Sequence, residues 1–398
     1  MKVLIVGAGI AGATLAYWLC RSGHQPTLLE RAPRLREGGY LVDFWGAGFE
    51  VADRMGIVPI LMERGYRIGE LREISPGGRR LAGLDTVRLM DAMSGRYVSI
   101  TRSDLAAAIY QALGGQVETV FGTTVQTLAD QGDLVRVRLA DGIERDFDLV
   151  IGADGLHSRI RSLAFGPESE FERDLGVAIA VFDIAGYRPR EELVAVTHTQ
   201  VGVQTLRVAL REDTTMFCLT FRHDGDVPGD RAAGERLVHA RLSGSGGELP
   251  AILDRMSQAR TFFLDRASQI RLPSWWRGRI ALVGDAAAAP SFLAGQGSAL
   301  AMVEAYVLAS ELVRTGGDHR AAFAGYERQL LPMVRAKQDA AAGMGDFFAP
   351  RNRRRLALRT AAIRVLGFPP IASLLIGRSL RDPIRLPADV GAPPVSGG

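Results

Sequence analysis

The first hydrophobic run of the chain, Val3-Leu4-Ile5-Val6, is short, unbroken and mostly β-branched, the pattern of a strand buried on both faces. Glycines follow at Gly7, Gly9 and Gly12, and across them the apolar period changes. Ala13, Leu15, Ala16, Trp18 and Leu19 then recur at helical spacing. The pattern predicts a strand over 2–6, a helix over about 10–21, and a second strand over 26–30 after a turn at Gly23. That is a βαβ unit, whose crossover is right-handed in a parallel sheet. Further strands are predicted over 124–128 and 135–139, turned by Asp141-Gly142, and over 148–152. From about Gly176 to Ile270 the pattern alternates, predicting strands over 177–184, 194–199, 204–210 and 216–221, with one helix in the polar, glycine-rich stretch 225–247. A buried strand returns over 279–283, followed by long helices over about 298–314 and 319–342.

The parallel sheet is therefore left and re-entered around a mostly antiparallel block. The division predicted is 1–70, 100–175 and 271–345 for a discontinuous first domain, 71–99 and 176–270 for a second, and 346–398 for a C-terminal helical segment and tail. Within that tail the stretch 352–380 is predicted to be helical and amphipathic. Its Arg353, Arg354, Arg355, Arg359 and Arg364 read as a solvated face on a helix packed against the body, with a membrane-surface helix as the alternative.

Composition narrows the classes. With 47% hydrophobic and 23% charged residues in 398, extended disorder is excluded, and 46 glycines point to tight turns and close backbone approaches. Lys and Arg number 48 against 44 Asp and Glu, and the surplus of +4 makes no phosphate-tracking stripe, so nucleic acid is not an expected partner. Cys20 and Cys218 fit neither a disulfide framework nor a zinc site and read as buried thiols of a reducing cytosol. Six histidines without metal-ligand spacing predict no metal centre. The uncharged stretch Val3–Cys20 has the length of a signal peptide or short membrane span. Its glycines and its change of period favour strand, turn and helix, so no export and no stable membrane insertion are expected.

Three motifs carry chemistry. Gly7-Ala8-Gly9-Ile10-Ala11-Gly12 lies between a buried strand and a helix. Gly7 allows the tight turn, Gly9 lets the backbone approach a pyrophosphate, and Gly12 lets helix and strand pack closely. Helix N-terminal N–H groups would face the phosphates, and Glu30, ending the second strand, can accept from both ribose hydroxyls. This motif predicts a dinucleotide without choosing NAD over FAD. The other two motifs choose. One is Asp148-Leu149-Val150-Ile151-Gly152-Ala153-Asp154-Gly155, continuing through His157, Arg159 and Arg161. The other is Gly284-Asp285-Ala286-Ala287, followed by Pro290 and Gly295-Gln296-Gly297. A carboxylate at a strand's C-terminal end can hold a ribityl hydroxyl, and a glycine-flanked turn opening a long helix aims N–H groups at the negative edge of a reduced flavin.

In these three motifs, their order and their spacing, the chain resembles the class A flavoprotein monooxygenases, the para-hydroxybenzoate hydroxylase-like group. Gly38-Gly39-Tyr40-Leu41-Val42-Asp43, Thr101-Arg102-Ser103-Asp104-Leu105 and the stretch 275–285 are most similar to the tetracycline-inactivating hydroxylases. The resemblance covers roughly residues 1–342. It implies an α/β fold, with a Rossmann-type FAD-binding domain on a parallel sheet, a mostly antiparallel substrate domain and C-terminal helices. It also implies a cytoplasmic enzyme, monomeric or weakly dimeric. NADPH or NADH would reduce FAD, and O2 would form a flavin C4a-hydroperoxide that hydroxylates an aromatic or polyketide, tetracycline-like substrate. Baeyer–Villiger or epoxidising chemistry, and a flavin-binding protein without turnover, are the alternatives.

By position, the resemblance gives cofactor roles to Gly7, Gly9, Ala11, Gly12 and Val125. Glu30 and Arg31 would hold the adenosine end. Arg102 would reach the pyrophosphate or ribityl chain, Asp43 would lie near the ring, and Asp285 would hold the ribityl chain. Pro290 would follow, with Gly295, Gln296, Gly297 and Ser298 capping the pyrimidine edge. Asp154, supported by Arg159, would serve FAD and NADPH, and Arg36 stands where a relative has an arginine linked to NADPH. Ala288 replaces the family's usual histidine, a proline is common near Phe292, and both departures affect the substrate side. Gln204 and Arg222 are the candidates for the catalytic, substrate-facing side, with ordinary solvent-facing polar positions as the competing reading. Phe182, Phe217, Phe221, Phe292 and Met302 are candidate apolar walls or core, and His223 is a candidate proton relay or a surface histidine.

Overall fold

In the computed structural model, which describes residues 1–35, 40–87, 90, 95–366 and 384–388, the opening strand and its glycine turn organise the first domain. Lys2–Val6 lies in the middle of a six-stranded sheet ordered Trp276–Arg277, Ile280–Leu282, Leu149–Gly152, Lys2–Val6, Gln25–Glu30, Glu118–Phe121. Every pairing is parallel except that of Trp276–Arg277 with Ile280–Leu282. Val3, Leu4 and Ile5 are fully buried between layers, which is why the run is apolar on both faces rather than alternating. The Ile10–Arg21 helix packs on the Gly297–Arg314 helix, where Trp18 meets Tyr306 edge-on at 4.9 Å, and that helix packs on His319–Ala342.

The antiparallel block is a seven-stranded sheet ordered Phe262–Ile270, Glu172–Ala185, Thr214–Arg222, Val203–Ala209, Val194–Gln200, Glu70–Ile74, Arg80–Asp85. One pairing in it, Val194–Gln200 with Glu70–Ile74, is parallel. Alternation along each strand gives the sheet two chemically distinct faces. Ala178, Ala180, Phe182, Val203, Phe217, Leu219 and Phe221 pack under the helices Arg231–Leu242 and Leu249–Met256, with Phe182 stacked on Phe217 at 5.6 Å. Ile179, Val181, Val208 and Met216 look the other way, towards Tyr40, Phe292 and Cys218.

Several expectations change. Asp141-Gly142 turns Val135–Leu139 into Glu144–Phe147, whereas Gly132 lies between Val125–Asp130 and Val135–Leu139. These three strands form a separate antiparallel sheet. The ribbon Leu41–Trp45 with Tyr97–Thr101, the pair Glu70–Ile74 with Arg80–Asp85, and the helix Leu249–Met256 escaped the sequence pattern. Both cysteines are half-buried rather than buried.

The tail is tied down through arginines. Arg222 donates to the Ala349 carbonyl at 2.7 Å and to Asp346 at 2.5 Å, and Gly202 N–H donates to the Pro350 carbonyl. In the helix Arg353–Leu366, Arg353, Arg354, Arg355 and Arg364 are exposed, but Arg359 is 6% exposed and paired with Glu73 at 3.1 Å. The arginine run is therefore a solvated face with one buried exception. Among the described residues no helix is long and apolar enough to cross a membrane. Residues 367–380 of the expected amphipathic stretch lie outside the described residues.

Candidate functional site

The three glycines of the first turn are not equivalent. Gly7 has φ +107°, and a Cβ there would stand 2.5 Å from the Ala153 carbonyl oxygen. A Cβ on Gly12 would collide with the Gly7 carbonyl. Both are glycine because the protein's own backbone leaves no room. A Cβ on Gly9 would meet no protein atom within 4 Å, so nothing within the fold requires glycine there. The space beside it is open to something outside the chain, which is compatible with the pyrophosphate reading. Gly9 caps the Ile10–Arg21 helix without any side-chain hydrogen bond, and the helix has no acid in its first turn, so its N–H groups remain on offer. Glu30 accepts from Ala8 N–H at 3.0 Å with one oxygen and from Ala32 N–H at 2.8 Å with the other. Each oxygen keeps a further lone pair for a ribose hydroxyl. Arg31 is exposed, Ala11 is buried, and Val125 is fully buried with its side chain in the core, so only its backbone can serve a ligand. Arg36 and Gly38-Gly39 lie outside the described residues.

The second and third motifs close on the first. Gly284, at φ +66°, would bring a Cβ to 3.0 Å from the Ala11 methyl. Asp285 follows at the C-terminal end of Ile280–Leu282, and among the described residues its carboxylate accepts no hydrogen bond from the protein. Burial pushes its carboxyl above the usual range, Arg102 and Arg161 pull it down, and Asp265 pushes it up. Gly295 is left-handed at φ +66°, and the Gly297–Arg314 helix opens without a side-chain cap. Gln296 accepts from the Lys337 ammonium, Gly297 faces Asp285, and Ser298 is half-buried. Pro290 is buried and accepts from Gln269 through its carbonyl. Arg102 opens the helix Arg102–Ala112, whose N-cap Thr101 accepts from Asp104 N–H at 3.1 Å. Its own N–H donates to the Tyr40 carbonyl. An unpartnered carboxylate, bare N–H groups and a bare glycine together fit an anionic dinucleotide with a polyol arm.

Asp154 turns mainly inward. It accepts from the Ser158 hydroxyl at 2.5 Å and from the Arg159 and Ile160 N–H groups, capping the Arg159–Ala164 helix, and burial raises its carboxyl above the usual range. The Arg159 guanidinium goes to the Gln126 carbonyl. The stronger link is Arg161, 0% exposed, which donates to the Ala286 and Leu156 carbonyls and to Glu168, so one side chain ties the second motif to the third. The sequence placed Arg161 in the second motif without giving it a role, because its link to the third motif spans 125 positions.

His157, in the same motif, lies between Asp265 of the antiparallel sheet at 3.8 Å and Glu168 at 2.8 Å. Asp265 first and Glu168 after it push the imidazole up to about 9 from 6.5, against the opposing effect of burial. The stabilisation is complete below pH ~6.5 and is lost as pH rises through about 9. The side chain is 59% exposed, so solvent screening limits it to under about 1 kcal/mol. His157→Ala should lower Tm slightly near neutrality and not at all well above pH 9; an equal deficit at both would show that packing, not charge, is involved.

On the substrate side, Gln204 is buried on the sheet face that looks towards Tyr40 and donates to Thr199 at 3.1 Å. Arg222 is committed to Asp346 and Ala349, which makes it an anchor of the tail. His223 is buried, not a surface histidine, with one ring nitrogen on the Asp226 carbonyl. Phe182, Phe217 and Phe221 point under the helices and Met302 is in the main core, so core packing accounts for these four. Phe292 alone borders the face towards Tyr40. Asp43 is exposed and accepts from Tyr97 at 2.5 Å and Ser99 at 2.6 Å. Tyr40, which the sequence offered only as part of a motif, packs on Phe263 at 5.8 Å between the two domains. Burial pushes its hydroxyl up, with Arg102, Asp285 and Asp265 around it.

Comparison with known proteins agrees with this geometry. The model of the FAD binding domain family matches residues 1–341. A flavin-dependent monooxygenase of an unknown prokaryotic organism is 33% identical over 350 residues, covering 87% of this chain and 90% of that protein. The uncharacterized protein Rv1260 of Mycobacterium tuberculosis (strain ATCC 25618 / H37Rv) is 35% identical over 349 residues, covering 85% and 92%. Among solved structures, tetracycline destructase Tet(55) superposes with a TM-score of 0.82 at 30% identity, covering 98% of each chain. With a mixed parallel and antiparallel architecture, three converging glycine turns, and matches along nearly its whole length, the chain belongs to the FAD binding domain family, among the class A flavin-dependent monooxygenases.

Proposed function

We propose that this flavin-dependent monooxygenase uses NAD(P)H and O2 to hydroxylate an aromatic or polyketide substrate of tetracycline-like shape. The observation that carries the reading is the convergence of three distant turns: Gly7 against Asp154, Gly284 against Ala11, and Arg161 between the Leu156 and Ala286 carbonyls. Segments 1–70, 100–175 and 271–345 would carry the flavin, 71–99 and 176–270 would cover the substrate, and the tail from 346 would brace that cover. Bare N–H groups at Gly9 and at the start of the Gly297–Arg314 helix would hold the pyrophosphate and the pyrimidine edge. Glu30 would hold the adenosine ribose, and Asp285 with Arg102 the ribityl chain. Bound FAD would accept a hydride from NAD(P)H and activate O2 for transfer of one oxygen atom to substrate. The chain's part is to position the ring and exclude water, with Gln204, Tyr40 and Phe292 on the side facing substrate.

Purified protein should be yellow and should consume NADPH in air, with flavin reduction accelerated by tetracycline or by an aromatic polyketide. The product should gain one oxygen atom by mass spectrometry. An oxygen inserted into a ring carbon–carbon bond would redirect the reading to Baeyer–Villiger chemistry, and flavin that no nicotinamide reduces would leave a binding protein without turnover.

A further inference from the structure

Beneath the Gly284-Asp285 turn lies a second acid that neither the motifs nor the site's chemistry has used. Glu304, two turns into the Gly297–Arg314 helix, is 1% exposed. It accepts from the Gly284 N–H at 2.6 Å and lies 3.4 Å from the Tyr326 hydroxyl, which also donates to the Leu282 carbonyl at 3.2 Å. We infer that Glu304 is a positioning residue held as a neutral carboxylic acid, which pins Gly284 in its left-handed conformation and so aims the Asp285 carboxylate at the flavin. This rests on the flavin reading above.

The physical reason is a contest between two buried acids for charge. Asp285 has the arginines 102 and 161 near it, whereas Glu304 has, among the described residues, a peptide N–H and a phenol. Two carboxylates that feel each other's charge in a dry site do not both ionise readily, and the one without cations keeps the proton. Burial, with Asp285 adding to it, pushes Glu304 up to about 8. Among the described residues no lysine or arginine contacts Glu304. The Ile10–Arg21 helix carries only Arg21, at its far end. The Gly46–Arg54 helix has Glu50, Asp53 and Arg54, and Arg54 is on Tyr306 and Glu50. In the Leu41–Trp45 strand Asp43 is bound by Tyr97 and Ser99. The His319–Ala342 helix carries His319, Arg320, Arg328, Arg335 and Lys337, but Arg320, Arg328 and Arg335 are exposed. His319 packs on Phe323 and Lys337 donates to Gln296, while Glu327 of the same helix accepts from Ser274 and Trp275.

Glu304→Gln keeps the neutral acceptor and removes the titration. For the wild type, FAD affinity should fall about tenfold as pH rises through 8, because a second charge then faces Asp285; for Glu304→Gln it should stay flat. Without added FAD, stability attributable to a raised acid is full below the unfolded value of 4.5 and declines as pH rises towards 8. The Tm of Glu304→Gln relative to wild type should therefore increase across that range. Parallel pH curves for the two proteins in both measurements would overturn the inference. A wild type that binds no FAD at any pH would instead overturn the flavin reading itself.

Discussion

Gly12→Ala should give a colourless protein with a sharply lowered Tm, whereas Gly9→Ala should give one that folds normally and has lost FAD. The two positions differ in what occupies the space a methyl group would take. At Gly12 it is the backbone carbonyl of Gly7, which cannot rotate away as a side chain could without disturbing the turn and the central strand before it. Overpacking against backbone sits at the upper end of its usual range, about 3 kcal/mol or more. At Gly9 the space holds no protein atom and φ is −73°, open to any residue, so stability should change by no more than about 0.5 kcal/mol. The same methyl would stand where the pyrophosphate approaches, and FAD affinity should fall by at least about tenfold. Thermal unfolding and the visible flavin spectrum, measured on both variants, separate the two effects. Equal loss of stability in both would mean that the turn has no bare position.

Arg359→Ala should be the most damaging substitution in the tail. Arg359 crosses from the Arg353–Leu366 helix to Glu73, 3% exposed in the Glu70–Ile74 strand, and its Nε donates to the Phe347 carbonyl. Glu73 also accepts from Thr197 and from the Thr199 N–H. Burial pulls the guanidinium below its usual range and Glu73 holds it up, so the pair is balanced against its own desolvation. Removing the arginine leaves a buried carboxylate facing two weak donors, at a cost of about 3–5 kcal/mol. Arg359→Met combined with Glu73→Leu should recover most of it, since neither charge is then stranded. Urea midpoints for the single and double variants test this; a single variant no worse than the neighbouring Arg355→Ala, whose side chain is exposed, would show that the tail is held by other contacts.

What was legible in the chain was local. The 2–6 strand and the 10–21 helix could be read because burial on both faces and a glycine turn each leave their mark within a few residues, and the 319–342 helix was read from its pattern alone. The positions of the three cofactor motifs were legible for the same reason, since a turn that must be tight has to be glycine wherever its partner lies. Alternation in the 176–270 block was equally plain, but it names two faces without saying which one the helices cover. Phe182, Phe217 and Phe221 therefore remained open between wall and core until the two helices were seen on their side.

By itself, then, the sequence determined the class of the fold, the elements that flank its glycine turns and the positions of those turns, because these depend on backbone conformations that few residue types allow. Only the tertiary structure decided which charged side chains are buried. Arg161, Glu304 and Arg359 look like any exposed residue of their type, and the groups that make their burial tolerable include some 20, 125 and 286 positions away. A charge can be taken out of water only where acceptors or donors converge on it, and that convergence is a property of the folded chain.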